Sequence, residues 1–279
     1  SFQTGLSRFD YDATEGARVP TRLFHVSDIH FGAEDPAALA WFAERVAAEK
    51  PDAVIMTGDL TMRARPSEFD AGGRWLRALG VPVTLEVGNH DIPYYWDPVR
   101  RLVAPYRRYG VAEKLIEQPL EIPGVSIIPL KTTARAQLRW NWSKGNVSRD
   151  ALDRALALIA DAPKGNLIFV AGHHPLIEGP TTGSGRTRNG MRALAALAAA
   201  GAHAVLSGHV HDPFDIPYDR DGWRVRLIGA GTLSKRLRQT PPSFNEIRIA
   251  GDRFETLVRT LSPRPAMPIS AATDAGATR

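Results

Sequence analysis

Histidines and acids are concentrated in a few short clusters of this 279-residue sequence. Six of its eight histidines lie beside an acid, an amide or another histidine. The clusters are Asp28-Ile29-His30, Gly88-Asn89-His90-Asp91, Gly172-His173-His174 and Gly208-His209-Val210-His211, and Gly58-Asp59 adds a carboxylate. Imidazole nitrogens combined with carboxylate and amide oxygens suit borderline divalent ions such as zinc, manganese or iron. We therefore expect a metal site, and two such ions side by side would form a hydrolytic centre.

Each cluster follows a short apolar run, which predicts a buried strand. These predicted strands span residues 22–27, 53–56, 83–87, 167–170 and 204–206. Helices are predicted between the clusters at residues 36–49, 67–79, 149–159 and 192–200. The active-site crevice of an open α/β sheet forms outside the carboxyl ends of its strands. We therefore expect clusters that are distant in sequence to converge in space.

The pattern changes after His211, where short strands alternate with turn residues. Strands are predicted at residues 214–216, 223–228, 244–249 and 254–259, in addition to one at residues 125–130. The four that follow His211 indicate an antiparallel layer. Two packed sheets with helices outside them would accommodate both halves of the chain.

The length and the 43% hydrophobic content fit one large domain, which we predict over residues 1–261. Residues 262–279 carry three prolines and many alanines without an apolar period, so they are predicted to form a tail. Residues 178–189 are predicted to form a glycine-rich loop that contains Arg186 and Arg188. This loop is either a lid that contacts the substrate or an ordinary surface loop.

Composition excludes several kinds of site. The absence of cysteine rules out thiolate nucleophiles, disulfides and cysteine-ligated zinc. The formal net charge of +5 favours anionic substrates, but there is no compact basic run of the kind that binds nucleic acid. No apolar run is long enough to span a membrane, and residues 1–20 lack the apolar core of a signal peptide. We therefore expect a soluble, cytoplasmic protein.

The order of the clusters is Asp-x-His, Gly-Asp, Gly-Asn-His-Asp, a further His, and Gly-His-x-His. In this respect the chain resembles the calcineurin-like metallophosphoesterases, and all five blocks match between Asp28 and His211. Its compact length and its Gly-His-His-Pro block most resemble the bacterial cyclic-nucleotide and glycerophosphodiester phosphodiesterase branch. The resemblance implies an α/β fold, a four-layer α/β/β/α sandwich of two mixed sheets flanked by helices.

The resemblance also implies a ligand set for two divalent metal ions (Mn, Fe or Zn). It assigns Asp28, His30 and His211 to the first ion, Asn89, His173 and His209 to the second, and Asp59 to both. A carboxylate has two oxygens to share between ions about 3.5–4 Å apart, whereas an imidazole cannot bridge. We favour His173 over His174 as the ligand, although the sequence leaves both open. His25 and His203 adjoin apolar runs and are interpreted as hydrogen-bonded core histidines.

The expected reaction is hydrolysis of a phosphodiester by in-line attack of a hydroxide shared by the two ions. Such ions lower the pKa of bound water from about 15.7 toward about 7. The resemblance places His90 beside the ligand Asn89 without making it a ligand. We expect His90 either to protonate the departing alkoxide or to stabilise the phosphate oxygens, and Asp91 to orient it.

The resemblance implies a small organic or cyclic-nucleotide diester as the substrate, and the lack of an Arg or Lys directly beside a ligand cluster gives this weak support. A phosphomonoester remains an alternative, since Arg186 and Arg188 could reach the site. Trp140 and Trp142 either line a pocket for the leaving group or pack against each other. A nuclease with the same metal core and a non-catalytic scaffold are further alternatives. Neither a membrane nor a nucleic acid is an expected partner, and the sequence leaves a homo-oligomer open.

Overall fold

The computed structural model describes residues 20–93, 99, 103–116, 120–134, 143–183, 185–220 and 222–262. Its strands are β1 (Thr21–Val26), β2 (Ala53–Met56), β3 (Val83–Leu85), β4 (Val125–Pro129), β5 (Leu167–Ala171), β6 (Ala204–Ser207), β7 (Phe214–Arg220), β8 (Trp223–Gly229), β9 (Ser243–Ala250) and β10 (Arg253–Thr260). Its helices are α1 (Pro36–Glu49), α2 (Pro66–Ala78), α3 (Arg107–Ile116), α4 (Arg149–Asp161) and α5 (Gly190–Ala199). The described ranges leave out Trp140, Trp142 and residues 263–279 of the predicted tail. The predicted domain boundary therefore stays a prediction.

The strands form two five-stranded mixed sheets. The first has the order β10-β9-β1-β2-β3, in which β1, β2 and β3 are parallel and β9 is antiparallel to both of its neighbours. The second has the order β4-β5-β6-β8-β7, in which only β7 is antiparallel to its neighbour. The predicted pair of mixed sheets is therefore confirmed.

The strands that follow His211 differ from the sequence-based expectation, because they form no layer of their own. They form two antiparallel hairpins, and each hairpin extends a different sheet. The physical reason is the apolar face of each hairpin. Val225 and Leu227 of β8 complete the core of the second sheet, whereas Phe244 of β9 packs in the core of the first. In this arrangement β8 pairs with β6, and the two strands run parallel.

Three hydrophobic layers hold the sheets and helices together. Successive residues of a strand face opposite sides of its sheet, so Phe24 of β1 packs toward the helices while Leu23 packs between the sheets. The middle layer also receives Phe169 from the second sheet, and a third layer joins that sheet to α4 and α5. This α/β/β/α order of layers confirms the four-layer sandwich.

Helix ends follow from local sequence. The Asp35 side chain accepts hydrogen bonds from the first amides of α1, and Ser148 caps α4 in the same way. Helix α3 was not predicted, although Tyr109, Ala112 and Ile116 bury one face of it at helical spacing. None of the helices in the described ranges has both the length and the apolar character that crossing a bilayer requires.

Candidate metal centre

The predicted site residues lie together at the carboxyl ends of strands from both sheets. In the first sheet, Asp28 and His30 follow β1, Asp59 follows β2, and Asn89 and His90 follow β3. In the second sheet, His173 follows β5, while His209 and His211 follow β6. Two pairs of neighbouring loops bond through their backbones, Asp28 N to Gly58 O at 3.0 Å and Gly208 N to His173 O at 2.9 Å. The parallel strands thus bring five distant clusters into one place.

Backbone conformation sets these loops apart from the rest of the chain. Eight non-glycine residues have a positive φ in the described ranges, and five of them belong to the site. Those five are Asp28 (55°), His30 (51°), Asp59 (54°), His209 (71°) and His211 (64°). Left-handed conformations of this kind cost energy and persist where the surrounding structure enforces them, which is typical of functional sites.

Two glycines allow the loops to approach one another closely. A Cβ at Gly88 would overlap the amide and Oδ1 of Asp59 and lie 2.7 Å from its Cγ. A Cβ at Gly208 would overlap Ser27 Oγ and lie 2.5 Å from Asp28 Oδ2. Glycine is required at both positions because the backbone itself contacts a predicted ligand.

One group of converging side chains contains Asp28, His30 and His211. Asp28 Oδ1 lies 3.2 Å from His211 Nε2 and 3.6 Å from His30 Nε2, and the two Nε2 atoms are 3.2 Å apart. His211 Nδ1 donates to the backbone carbonyl of Arg236 at 2.6 Å, which leaves Nε2 for a ligand. Asp28 Oδ1 is buried and accepts no hydrogen bond from the described residues. Three side chains therefore direct lone pairs into one small volume.

A second group surrounds His173. Its Nε2 lies 3.2 Å from Asn89 Oδ1 and 3.3 Å from Asp59 Oδ2, while its Nδ1 donates to the Thr57 carbonyl at 2.8 Å. The ring of His209 is near, with its centroid 5.2 Å from that of His173. Asp59 Oδ2 also lies 3.8 Å from His30 Nε2, so one carboxylate faces both groups.

His173 and His174 differ in what their ring nitrogens contact. Both nitrogens of His174 have protein partners, namely Thr132 Oγ1 at 2.9 Å and the Ser143 carbonyl at 2.8 Å. The carbonyl accepts the Nε2 proton, so the threonine hydroxyl donates to Nδ1 and the ring is neutral. Burial and the nearby imidazole of His209 also hold the pKa of His174 well below its usual value. His173 is therefore the member of the pair whose Nε2 faces Asp59 and Asn89, two other predicted ligands.

His90 and Asp91 occupy a short 3₁₀ turn formed by residues Asn89–Asp91. His90 Nδ1 donates to the Met62 carbonyl at 2.8 Å, so this carbonyl holds the ring. Asp91 is fully buried and accepts hydrogen bonds from the amides of Leu60, Thr61 and Gly88 and from the Thr61 hydroxyl. Asp91 thus joins the loops after β2 and β3, and the expectation that it orients His90 stays a prediction.

Arg236 is a site residue that the sequence analysis missed. Its Nη1 lies 3.0 Å from His90 Nε2 and 3.4 Å from His30 Nε2. It follows β8, whose carboxyl end lies at the same edge as that of β6 because the two strands are parallel. The strand-end rule would have found this arginine if β8 had been predicted as a parallel strand.

The ionisation of Asp59 and that of His173 depend on each other. Burial raises the pKa of the Asp59 carboxyl, but the imidazoles of His173, His90 and His30 overcome that effect and hold it well below its ordinary value. Burial lowers the pKa of His173, yet the Asp59 carboxylate raises it to about 9. Asp59 is therefore held as a carboxylate that faces His173, and binding of a metal cation to this imidazole would release any proton on Nε2.

The donor set fits divalent metal ions. Buried acids are paired with imidazoles, and those of His173 and His211 donate Nδ1–H to backbone carbonyls, an arrangement that orients metal-binding histidines. The nitrogen and oxygen donors, with no sulfur, suit zinc, manganese or iron. One carboxylate between two groups fits a pair of ions.

Other histidines lie outside this centre, and the glycine-rich loop passes beside Val210, which separates His209 from His211 in the sequence. His25 is buried between Thr57 Oγ1 at 3.0 Å and Asn245 Nδ2 at 3.2 Å, which confirms it as a hydrogen-bonded core residue. His203 is exposed rather than buried, and its Nδ1 accepts the Ile168 amide at 3.0 Å, so the core interpretation was wrong for it. In the loop, Arg188 pairs with Gly145 through its backbone. A contact of this loop with substrate stays a prediction.

Comparisons with known proteins agree with this geometry. The sequence profile described as calcineurin-like phosphoesterase matches residues 21–213, which include every residue of the two groups. A solved structure of a dimetal phosphatase from Danio rerio aligns with 88% of this chain and 100% of its own length, at a TM-score of 0.62 and 15% identity. At that identity the likeness shows the fold alone.

Two curated relatives match only in part. The chain is 34% identical over 80 residues to glycerophosphodiester phosphodiesterase GpdQ of Enterobacter lignolyticus, which is 25% of this chain and 29% of that protein. It is 24% identical over 226 residues to a protein of Staphylococcus epidermidis named as one of the subunits of nuclease SbcCD, which is 70% of this chain and 58% of that protein. The chain thus matches less than two thirds of the length of either relative.

Proposed function

Because the chain belongs to the calcineurin-like phosphoesterase family, we propose that it hydrolyses small organic or cyclic-nucleotide phosphodiesters with the help of two divalent metal ions. The observation that carries the proposal is the placement of Asp59 between two groups of converging nitrogen and oxygen donors. Asp59 Oδ2 lies 3.8 Å from His30 Nε2 on one side and 3.3 Å from His173 Nε2 on the other.

The proposed ligands divide into two sets that share Asp59. The first set is Asp28, His30 and His211, and the second is Asn89, His173 and His209. Two cations held there would lower the pKa of a water molecule and offset the charge that develops on the phosphate oxygens. The neutral amide of Asn89 contributes an oxygen without a charge, so the centre stays cationic enough to attract a phosphate ester.

We propose different roles for His90 and Asp91, which lie in the same turn. His90 keeps Nε2 directed at the site because its Nδ1 is held by the Met62 carbonyl, and we assign it the transfer of a proton to the departing alkoxide. Asp91 acts as a positioning residue: its hydrogen bonds to Gly88 and Thr61 hold the turn that carries His90 against the loop that carries Asp59.

Support for a diester comes from the partial similarity to a protein named as a glycerophosphodiester phosphodiesterase. A phosphomonoester is the second candidate, and the observation that favours it is the guanidinium of Arg236 beside His90. Such a cation supplies the extra positive charge that a dianionic ester requires.

Metal analysis combined with a substrate panel tests the proposal. Protein reconstituted with Mn²⁺, Fe²⁺ or Zn²⁺ should hold two ions per chain and hydrolyse bis(4-nitrophenyl) phosphate. Cyclic nucleotides, glycerophosphodiesters, dialkyl phosphates and 4-nitrophenyl phosphate should then be ranked by kcat/KM, with the diesters above the monoester. Protein that binds no metal and stays inert after reconstitution would contradict the function itself, whereas a higher kcat/KM for the monoester would contradict only the diester assignment.

A further inference from the structure

Arg236 places a guanidinium at the centre. It lies in the loop after β8, and this loop contains none of the predicted ligand clusters. The side chain is partly buried, and its Nη1 lies within hydrogen-bonding distance of His90 Nε2 (3.0 Å) and His30 Nε2 (3.4 Å). The guanidinium therefore adjoins both the proposed proton donor His90 and the proposed metal ligand His30.

The backbone around Arg236 is fixed at several points. Its amide donates to Ser234 Oγ at 3.2 Å, and its carbonyl accepts from His211 Nδ1 at 2.6 Å. Earlier in the loop, Thr232 Oγ1 donates to the Asp28 carbonyl at 2.6 Å. Later in the loop, Asp212 Oδ1 accepts the amides of Gln239 and Thr240, each at 3.0 Å. These bonds tie the backbone of the loop to two proposed ligands, Asp28 and His211, and to Asp212 beside His211.

The charge of Arg236 is not neutralised by a carboxylate in the part of the chain that the structure describes. Arg226, Arg248 and Arg259 each form ion pairs with an acid, whereas the contacts of Arg236 are two imidazole nitrogens and Met62 Sδ at 3.8 Å. A partly buried guanidinium without a counter-ion retains its full capacity to bind an anionic oxygen.

On the basis of the proposed function, we propose that Arg236 is a specificity-determining residue that binds a non-bridging oxygen of the substrate phosphate. A monoester dianion has three such oxygens, and the two metal ions cannot neutralise all of them equally. In a diester, one of these oxygens carries a second organic group and no negative charge. Arg236 should therefore stabilise a monoester, or the phosphate product, far more than a diester.

The test compares Arg236→Gln, Arg236→Lys and the control Arg238→Gln. Arg238 lies in the same loop with an exposed side chain, so its replacement makes the same change in net charge away from the centre. All variants are loaded with Mn²⁺, and their metal content is measured. Calorimetric titration with inorganic phosphate gives a readout that does not depend on turnover, and kcat/KM is measured with 4-nitrophenyl phosphate and bis(4-nitrophenyl) phosphate.

Arg236→Gln should keep its metal and weaken phosphate binding by about tenfold to a hundredfold, the range for hydrogen bonds to a charged group. It should lower kcat/KM for the monoester by a similar factor and for the diester by about threefold or less. Arg236→Lys should recover part of the loss because it keeps the charge without the planar fork. Arg238→Gln should match the wild type.

Equal losses on the two esters, unchanged phosphate affinity, or loss of metal from both Arg236 variants would overturn the inference. Failure of the proposed function would give a different result. In that case wild-type protein with two ions bound would hydrolyse neither ester, and the phosphate titration would still report whether Arg236 binds the anion.

Discussion

The contact between Gly88 and Asp59 allows a direct test of how the centre is positioned. In Gly88→Ala, the new Cβ would lie 2.7 Å from Asp59 Cγ, whereas carbon atoms pack at about 3.5–4.0 Å. The two loops must therefore separate by about 1 Å. The hydrogen bond from His90 N to Asp59 Oδ1, now 2.8 Å, would stretch beyond a useful length.

The size of this displacement predicts how much reaction rate and folding free energy Gly88→Ala should lose. A misplacement of about 1 Å in a catalytic centre costs about a hundredfold in rate, and an extra carbon in a packed site costs about 1–3 kcal/mol of folding free energy. We expect Gly88→Ala to lower kcat/KM for bis(4-nitrophenyl) phosphate by about a hundredfold and to bind less than two ions per chain. Activity, metal content and urea unfolding are measured on the same preparation.

Gly110→Ala is the matched control, since it adds the same methyl group in helix α3, where nothing lies within 4 Å of the new Cβ. It should leave activity unchanged and stabilise the fold by about 0.5–1 kcal/mol. If Gly88→Ala retained two ions and wild-type kcat/KM, the idea that close backbone approach positions Asp59 would be refuted.

Three further substitutions test separate parts of the structure. Asp59→Asn removes the charge shared by the two donor groups, so metal content should fall to one ion or fewer per chain; retention of two ions and full activity would contradict a bridging role. His90→Ala should slow alkyl esters far more than nitrophenyl esters, whose leaving groups need no proton, and equal losses would exclude proton transfer. Glu246→Gln should destabilise the fold by about 1.5–3 kcal/mol, because this fully buried carboxylate pairs with Arg248 at 2.7 Å and with Arg259. Burial raises the pKa of Glu246, but hydrogen bonds from these arginines lower it below its ordinary value of 4.5. The stability it contributes is thus present above about pH 4.5 and lost as the pH falls through the lower folded-state pKa; urea unfolding that showed the same difference from wild type at neutral and acidic pH would contradict this.

The clusters after β1, β2, β3, β5 and β6 could be placed from sequence because parallel strands end at a common edge. That rule requires only that each strand be recognised and its direction known. It failed for Arg236, since the hairpin of β7 and β8 was interpreted as part of an antiparallel layer. Pairing of β8 with β6 depends on burial of Val225 and Leu227 against the second sheet, which no local pattern reveals.

The choice between His173 and His174 depends on contacts that sequence could not predict. The partners of His174 are Thr132 and Ser143, which lie 42 and 31 residues away along the chain. The same limit applies to His90, whose ring is held by the backbone carbonyl of Met62 rather than by a side chain. Backbone carbonyls carry no sequence signature, so the orientation of an imidazole follows only from the fold.

The positive φ angles at the site explain why the surrounding sandwich must be rigid. Asp28 and His30 are two residues apart, and left-handed conformations at both bring their side chains to the same centre. Each such residue costs about 1–3 kcal/mol, so the five at this site could not be maintained by local preference. Backbone bonds from Asp28 to Gly58 and from His30 to Asp59, both 3.0 Å, fix the loop after β1 against the loop after β2. The strained geometry of the proposed metal centre is therefore stabilised by the packing of the two sheets, and a substitution that loosens one loop should weaken metal binding at both groups.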